Sequence, residues 1–312
     1  MTKDYPEIEQ AFADLSAKYI ASPQEIHDAL IMKRVQEHYE EALQHFPKHQ
    51  IVGCFLQGSQ NYGLDYEGSD VDTKLIVVPS FADICLNRKP ISTTHVRENN
   101  EHIDWKDVRL YMETFRKQNL NFLEILFTPY YIINPMYKEE WMRLVANRER
   151  IARMNPFRAV KSMKGIAHEK YAAMEKPYPS KLEIIDKYGY DGKQNSHLER
   201  VDDYLERYIA GERYEDCLKP TPARVPHIMD FKMLNVIPLE VAREEAKATL
   251  AHVDKMADDF CARTPEVEDE QMRRLLEFVS YNIMETAVKH EFGFDDLDIN
   301  GYDRETLGGE RV

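Results

Sequence analysis

The sequence predicts an α+β fold, with a mixed β-sheet in the first half of the chain and helices through the second. Three observations carry this. Two short apolar runs of strand formers, HQIVGCFLQ at 49–57 and DVDTKLIVVP at 70–79, lie close together. Apolar residues recur at three- and four-residue intervals before residue 47 and again from about residue 136 onward. Prolines at 177, 179, 220, 222 and 226 punctuate that second helical stretch.

Each element follows in order. Residues 6–47 read as helix, with Ser22-Pro23 and Glu25 marking a helix start. HQIVGCFLQ is a strand ended by Gly58, and NYGLDYEGS is turn-rich. DVDTKLIVVP alternates, turns fully apolar and stops at Pro79, the pattern of a central strand. Residues 80–100 read as loop, EHIDW as a short strand, KDVRLYMETFRKQNLNFLEILF as one helix and YYIIN as a further strand. Five helical stretches then run to about residue 290, and the tail from Asp295 is expected to be loosely held. A boundary near residue 150 divides a first domain, 1–150, from a helical one, 151–312.

Composition narrows the function classes. Of 312 residues, 43% are hydrophobic and 31% charged, enough for a packed core. No apolar run approaches the roughly 20 residues of a membrane helix. The acidic start MTKDYPEIEQAFADL lacks a signal-peptide core, so a soluble, cytoplasmic protein is expected. Cys54, Cys85, Cys217 and Cys261 show no metal or redox spacing and read as reduced thiols, with Cys54 and Cys85 in or near the core. A net charge of −14 argues against a non-specific nucleic-acid coat. The charge is uneven: Arg143 to Lys170 holds eight Lys/Arg against two Glu, a local basic face able to meet RNA or tRNA.

The chemistry concentrates in GSQNYGLDYEGSDVD, residues 58–72. Asp70 and Asp72, two apart on a strand, would point to one face, where like charges repel unless a cation sits between them. Mg²⁺ suits such a pair, because it prefers a few carboxylates plus substrate phosphates. Gly58 admits a phosphate close to the backbone, Ser59 offers a hydroxyl and an N–H, and a helix starting after Ser59 would add its positive end. Asp104, in HIDW, is the third carboxylate of a two-ion site. Asp107 is the alternative, set aside because it precedes VRLYMETF as a helix cap.

Gly-Ser, about ten residues, then Asp-x-Asp between strands resembles the DNA polymerase β-like nucleotidyltransferase superfamily. More closely, GSQNYGLDYEGSDVD with LIVVP, QNLNFLEILFTP, FRAVKSMKGIAHEKY, YDGKQNSHLERV and RTPEVEDEQM resembles its RNA-ligase-associated branch of bacteria and phages, from about 50 to 290. The resemblance implies a palm-like mixed sheet with flanking helices, followed by a helical domain that helps form the cleft. It implies transfer of a nucleoside monophosphate from an NTP, ATP first, with two Mg²⁺ ions or Mn²⁺ in their place. It puts the acidic triad at Asp70, Asp72 and Asp104 and the nucleotide contacts at Gly58, Ser59, Ser69, Lys193 and His197. Lys161 and Lys164 have a similar phosphate reading. The acceptor is a hydroxyl, an RNA end before a protein or a small molecule, as in RNA repair. A non-catalytic nucleotide-sensing or partner-binding module is the second reading, an RNA-binding repair component the third. The C-terminal helices could also pair two subunits in a homodimer.

Overall fold

The computed structural model describes residues 23–233 and 237–293. The expected helix over 6–22 and the tail from Asp295 therefore lie outside the described residues. The architecture is α+β. Five strands, β1 (Ile51–Gln57), β2 (Asp72–Val77), β3 (Ser92–Val96), β4 (His102–Asp107) and β5 (Tyr131–Ile133), form one sheet in the order β3-β4-β2-β1-β5. The β2–β4 pair is parallel and the others are antiparallel, which makes the sheet mixed.

Period-two alternation gives the central strands two buried faces. Leu75 and Val77 of β2 pack with Ile31, Val35 and Tyr39 of helix α1 (Pro23–Ala42), while Ile76 and Val78 enter the large core on the opposite side. Thr73 therefore faces α1, where its hydroxyl meets His38 Nδ1 at 2.9 Å. Asp72 and Lys74 share the other face with Ile76. On β4, Lys74 is registered with Asp104, so Asp104 faces the same way.

Three readings of this half need correction. Residues 92–96 form an edge strand paired with β4, although 80–100 reads as loop: the segment STTHV is polar and mostly exposed, so it lacks an apolar signature. The single helix expected over 106–127 is broken. Helix α3 spans Val108–Arg116 and a short α4 spans Leu120–Leu123. Between them Gln118 adopts φ +56° and donates its side-chain amide to the carbonyls of Phe115 and Ile151, both at 2.8 Å. Asn119 then caps α4 by accepting from the Asn121 N–H. Cys85 is also exposed rather than near the core, because it ends the short surface helix α2 (Phe81–Cys85); Cys54 is buried, and all four thiols are free.

The remaining helices are α5 (Lys138–Ala146), α6 (Arg148–Ala152), α7 (Pro156–Ala173), α8 (Leu182–Tyr188), α9 (Gly192–Ala210), α10 (Tyr214–Leu218), α11 (Val225–Lys232), α12 (Leu239–Arg263) and α13 (Glu270–Glu291). Helix α9 packs among α7, α11 and α12, and α13 returns to lie on α3 and α5. Residue 150 falls inside α6, and one continuous core runs from Val52 and Phe55 of the sheet through Trp141 to Val279 and Ala287 of α13. No described helix is long and apolar enough to cross a membrane.

Candidate active site

Strand β1 ends at Gly58, whose φ of 100° and ψ of −159° lie in a region that only glycine occupies comfortably. The next three residues, Ser59–Asn61, make one 3₁₀ turn. This corrects the expectation of a helix N-terminus after Ser59, since a single turn carries no sustained dipole. Side chains of the loop itself shape the rest. The Gln60 amide donates to the Asp70 carbonyl at 2.6 Å, the Asn61 amide to the Leu56 carbonyl at 3.1 Å, and Ser69 Oγ accepts from the Tyr66 N–H at 2.9 Å. Tyr62 and Leu64 pack on Ile228 of α11, and Lys232 donates to the Leu64 carbonyl, so the helical half holds the loop from outside. Asp70 precedes β2, which begins at Asp72; the two carboxylates therefore do not share a strand face, although both reach the same cavity.

That cavity, about 500 Å³, lies between the sheet and helices α7, α9 and α11. Its lining includes Gly58, Ser59, Ser69, Asp70, Asp72, Asp104, Lys193 and His197, but not Lys161 or Lys164. The sheet side is acidic. Burial pushes the Asp72 carboxyl above the usual carboxylate range, the His102 N–H that donates to it at 2.8 Å opposes this, and nearby Asp70 adds to the rise. Asp104 is held by Lys74 Nζ at 3.3 Å and by the Thr94 hydroxyl at 2.6 Å. Asp107 is spent as the cap of α3, accepting from the Arg109 N–H at 2.9 Å and pairing with its guanidinium, and does not line the cavity.

The donor set can be tested against a divalent cation. Asp70 and Asp72 open on one cavity, and the rise at Asp72 is the strain that a cation between them would relieve. Among the described residues, however, no group of three or more His, Cys, Asp or Glu is arranged to hold a metal by itself. The pair thus fits an ion that takes its remaining ligands from a bound molecule, as Mg²⁺ commonly does.

The helical side is basic. Lys170 of α7, Lys193 and Arg200 of α9 and Lys232 of α11 line the cavity. Together with burial, these four cations hold the His197 imidazole well below its ordinary value, so it is neutral at pH 7. Burial and Lys193 bring the Lys232 ammonium down to about 8. Asp191 fixes the start of α9 by accepting from the Lys193 N–H at 3.0 Å, which is why the YDGKQNSH stretch presents Lys193 to the cavity.

Sequence reasoning missed Glu124, Arg200 and Lys232. Arg200 had a signal: it lies three and seven residues beyond His197 and Lys193, on one helical face. Glu124, inside LNFLEILF, is buried; burial pushes its carboxyl above the ordinary value, and nearby Arg200 and Lys74 oppose the rise. Nothing local in the sequence marks Lys232. The basic stretch 143–170 is largely neutralised. Arg148 pairs with Glu215, Arg150 with Asp269, Arg158 with Glu266 and Lys164 with Asp258, while Lys161 lies over the Phe157 ring. Lys161 and Lys164 do not line the cavity.

No protein-family model matches the chain, and no curated protein is similar to it. A solved structure described as a nucleotidyltransferase-like protein from Exiguobacterium sibiricum aligns over 74% of this chain and 77% of its own, at 8% identity and a TM-score of 0.27. A likeness that slight says nothing further about this chain.

Proposed function

We propose that the chain is a nucleotidyltransferase, which moves a nucleoside monophosphate from an NTP to a hydroxyl acceptor. The observation that carries this reading is one cavity with carboxylates on its sheet side and a cluster of cations on its helical side. A nucleoside triphosphate held across it meets both requirements: Lys193, Arg200 and Lys232 neutralise the non-transferring phosphates, and the Gly58–Ser59 turn brings backbone against the chain of phosphates. Asp70 and Asp72 would hold Mg²⁺ or Mn²⁺ with the nucleotide, which supplies alignment of the reacting oxygens and neutralisation of their charge. Asp104 joins them once Lys74 gives it up. The acceptor hydroxyl attacks the α-phosphorus as its proton passes to a carboxylate of the sheet side, the α–β bridging P–O bond breaks, and pyrophosphate leaves with the charge that the basic wall balances. ATP is the first donor to try and an RNA end the first acceptor.

A second reading rests on a specific observation. Asp104 is occupied by Lys74 and Thr94, an arrangement that would suit a module which binds nucleotide without turning it over. The deciding experiment incubates the protein with Mg²⁺ and each α-labelled NTP, adding cellular RNA to one set and cellular protein to another, beside the Asp70→Ala/Asp72→Ala variant. Label moved to one fraction and lost in the variant supports transfer and identifies the acceptor class. Nucleotide binding with no transfer under any condition supports the second reading.

A further inference from the structure

Behind the acidic strand, on the face away from the cavity, lies a buried polar cluster. His38 of α1 is fully buried, and Glu101, just before β4, is 7% exposed. Glu101 Oε2 accepts from His38 Nε2 and from Arg97 Nη1, both at 3.0 Å, and Arg34 of α1 spans both carboxylate oxygens. A carboxylate only accepts, so His38 donates from Nε2. Burial outweighs Glu101 and keeps the ring neutral at pH 7, which leaves Nδ1 to accept from the Thr73 hydroxyl at 2.9 Å. Glu101 Oε1 also accepts from the Val71 N–H at 3.4 Å. A buried ion pair is weak evidence for stability, because apolar side chains of similar volume often serve as well. What this one touches on the acidic strand is more telling. Val71 and Thr73 flank Asp72, and His102, next after Glu101, donates its N–H to the Asp72 carboxylate at 2.8 Å.

We propose that Glu101 and His38 are positioning residues: from the α1 side they fix residues 71–73, and so aim Asp70 and Asp72 at one cation in the cavity. This rests on the nucleotidyltransferase reading and deepens it. The peptide group between Asp70 and Val71 is pinned at both its polar atoms, since its carbonyl accepts from the Gln60 amide on the loop side and its N–H donates to Glu101 on the other. Thr73, on the far side of Asp72, is pinned by its hydroxyl. Two carboxylates that repel each other swing apart unless their backbone is held, and these ties lie within one residue of each. Apolar contact with α1 is already supplied by Val71, Leu75 and Val77, so the polar cluster adds direction rather than packing. Groups that orient metal ligands in this way commonly change metal affinity by about ten- to a hundredfold.

The test compares the wild type with Glu101→Gln, whose amide turns an N–H toward donors that the carboxylate accepted. Two affinities are read: that for Mn²⁺·ATP, by enhancement of water-proton relaxation, and that for ATP with excess chelator, by calorimetry. Asp72→Asn runs beside them as the reference for a lost carboxylate. Glu101→Gln is expected to bind Mn²⁺·ATP at least about tenfold more weakly, as Asp72→Asn does, with metal-free ATP affinity within about twofold of the wild type. Thr73→Val, which lacks the hydroxyl, should weaken Mn²⁺·ATP in the same selective way, and Thr73→Ser should restore it. That pair carries the test if Glu101→Gln does not fold, as judged by circular dichroism. Equal weakening of both affinities would make the cluster a packing element and overturn the proposal, as would two unchanged affinities. In either case a selective loss of Mn²⁺·ATP in Asp72→Asn would leave the nucleotidyltransferase reading standing. An Asp72→Asn variant that binds Mn²⁺·ATP as the wild type does, or a wild type that binds ATP in neither form, overturns both.

Discussion

Asp72 and Lys232 face each other in kind across the cavity: each is a charge held where burial disfavours it, and each should respond to ligand and pH. Asp72→Asn removes the carboxylate that burial and Asp70 raise, and nucleotide-dependent Mg²⁺ binding and label transfer should fall to background while the fold stays intact. Titration calorimetry with Mg²⁺ in the presence of ATP checks this. Lys232 has the opposite sign. Its folded value, about 8, lies below the ordinary lysine value of 10.5, so the folded protein releases a proton that the unfolded chain still holds between those limits. Stability should therefore rise with pH across that window, whereas nucleotide affinity should fall as the ammonium is lost. Bound phosphate raises the value again, which spreads the fall toward higher pH. A decline of about tenfold in ATP affinity above pH 8 is expected, absent in Lys232→Met, as an affinity-versus-pH series would show. The Asp72 role was legible in the sequence, but the Lys232 effect was not, because it depends on α11 folding back over the loop at 59–71, a contact between residues far apart in the chain.

At the scale of elements, the turn after β1 and the start of α9 bring backbone and cation into place. Gly58 has room for a side chain, since an added Cβ would meet only Gln60 Oε1 at 3.9 Å; the obstacle is its backbone. Gly58→Ala should cost about 1–3 kcal/mol through conformational strain, measured by urea denaturation, and should weaken ATP binding by displacing the turn. Asp191→Ala removes the cap of α9 and should cost about 1 kcal/mol, with a matching loss of ATP affinity because Lys193 sits in the uncapped first turn. A strong local pattern made the first of these readable, the Gly-Ser ending of an apolar strand, whereas the Asp191 cap of α9 was not read from the sequence. Readings failed where the local signal was weak or discounted. The edge strand at 92–96 has no apolar side to bury. The break at Gln118 was marked by the five-residue step from Phe115 to Leu120, which no single helical face accommodates.

At the scale of the molecule, the same core that positions the cavity joins the two halves. A change of pattern near residue 150 is real in the sequence, since strands give way to helices there, yet the structure runs α6 through that point and packs α13 back onto α3 and α5. Composition could not reveal this, because an apolar helical face does not state which surface it will cover. The consequence is cooperative unfolding. Both tryptophans lie in the first half, Trp141 sealed against Phe55 and Trp105 packed beside Phe46, while the long helices α9, α12 and α13 lie in the second. Tryptophan fluorescence therefore reports the sheet half and far-UV circular dichroism is weighted toward the helical half. The two should give one coincident transition in urea, because a core extending from Val52 to Ala287 cannot be lost on one side and kept on the other. Transitions that separate would show two units joined only at the cavity. The carboxylates and the cations would then be brought together by docking of two folded parts, and ATP with Mg²⁺, bridging them, should draw the two transitions back into one.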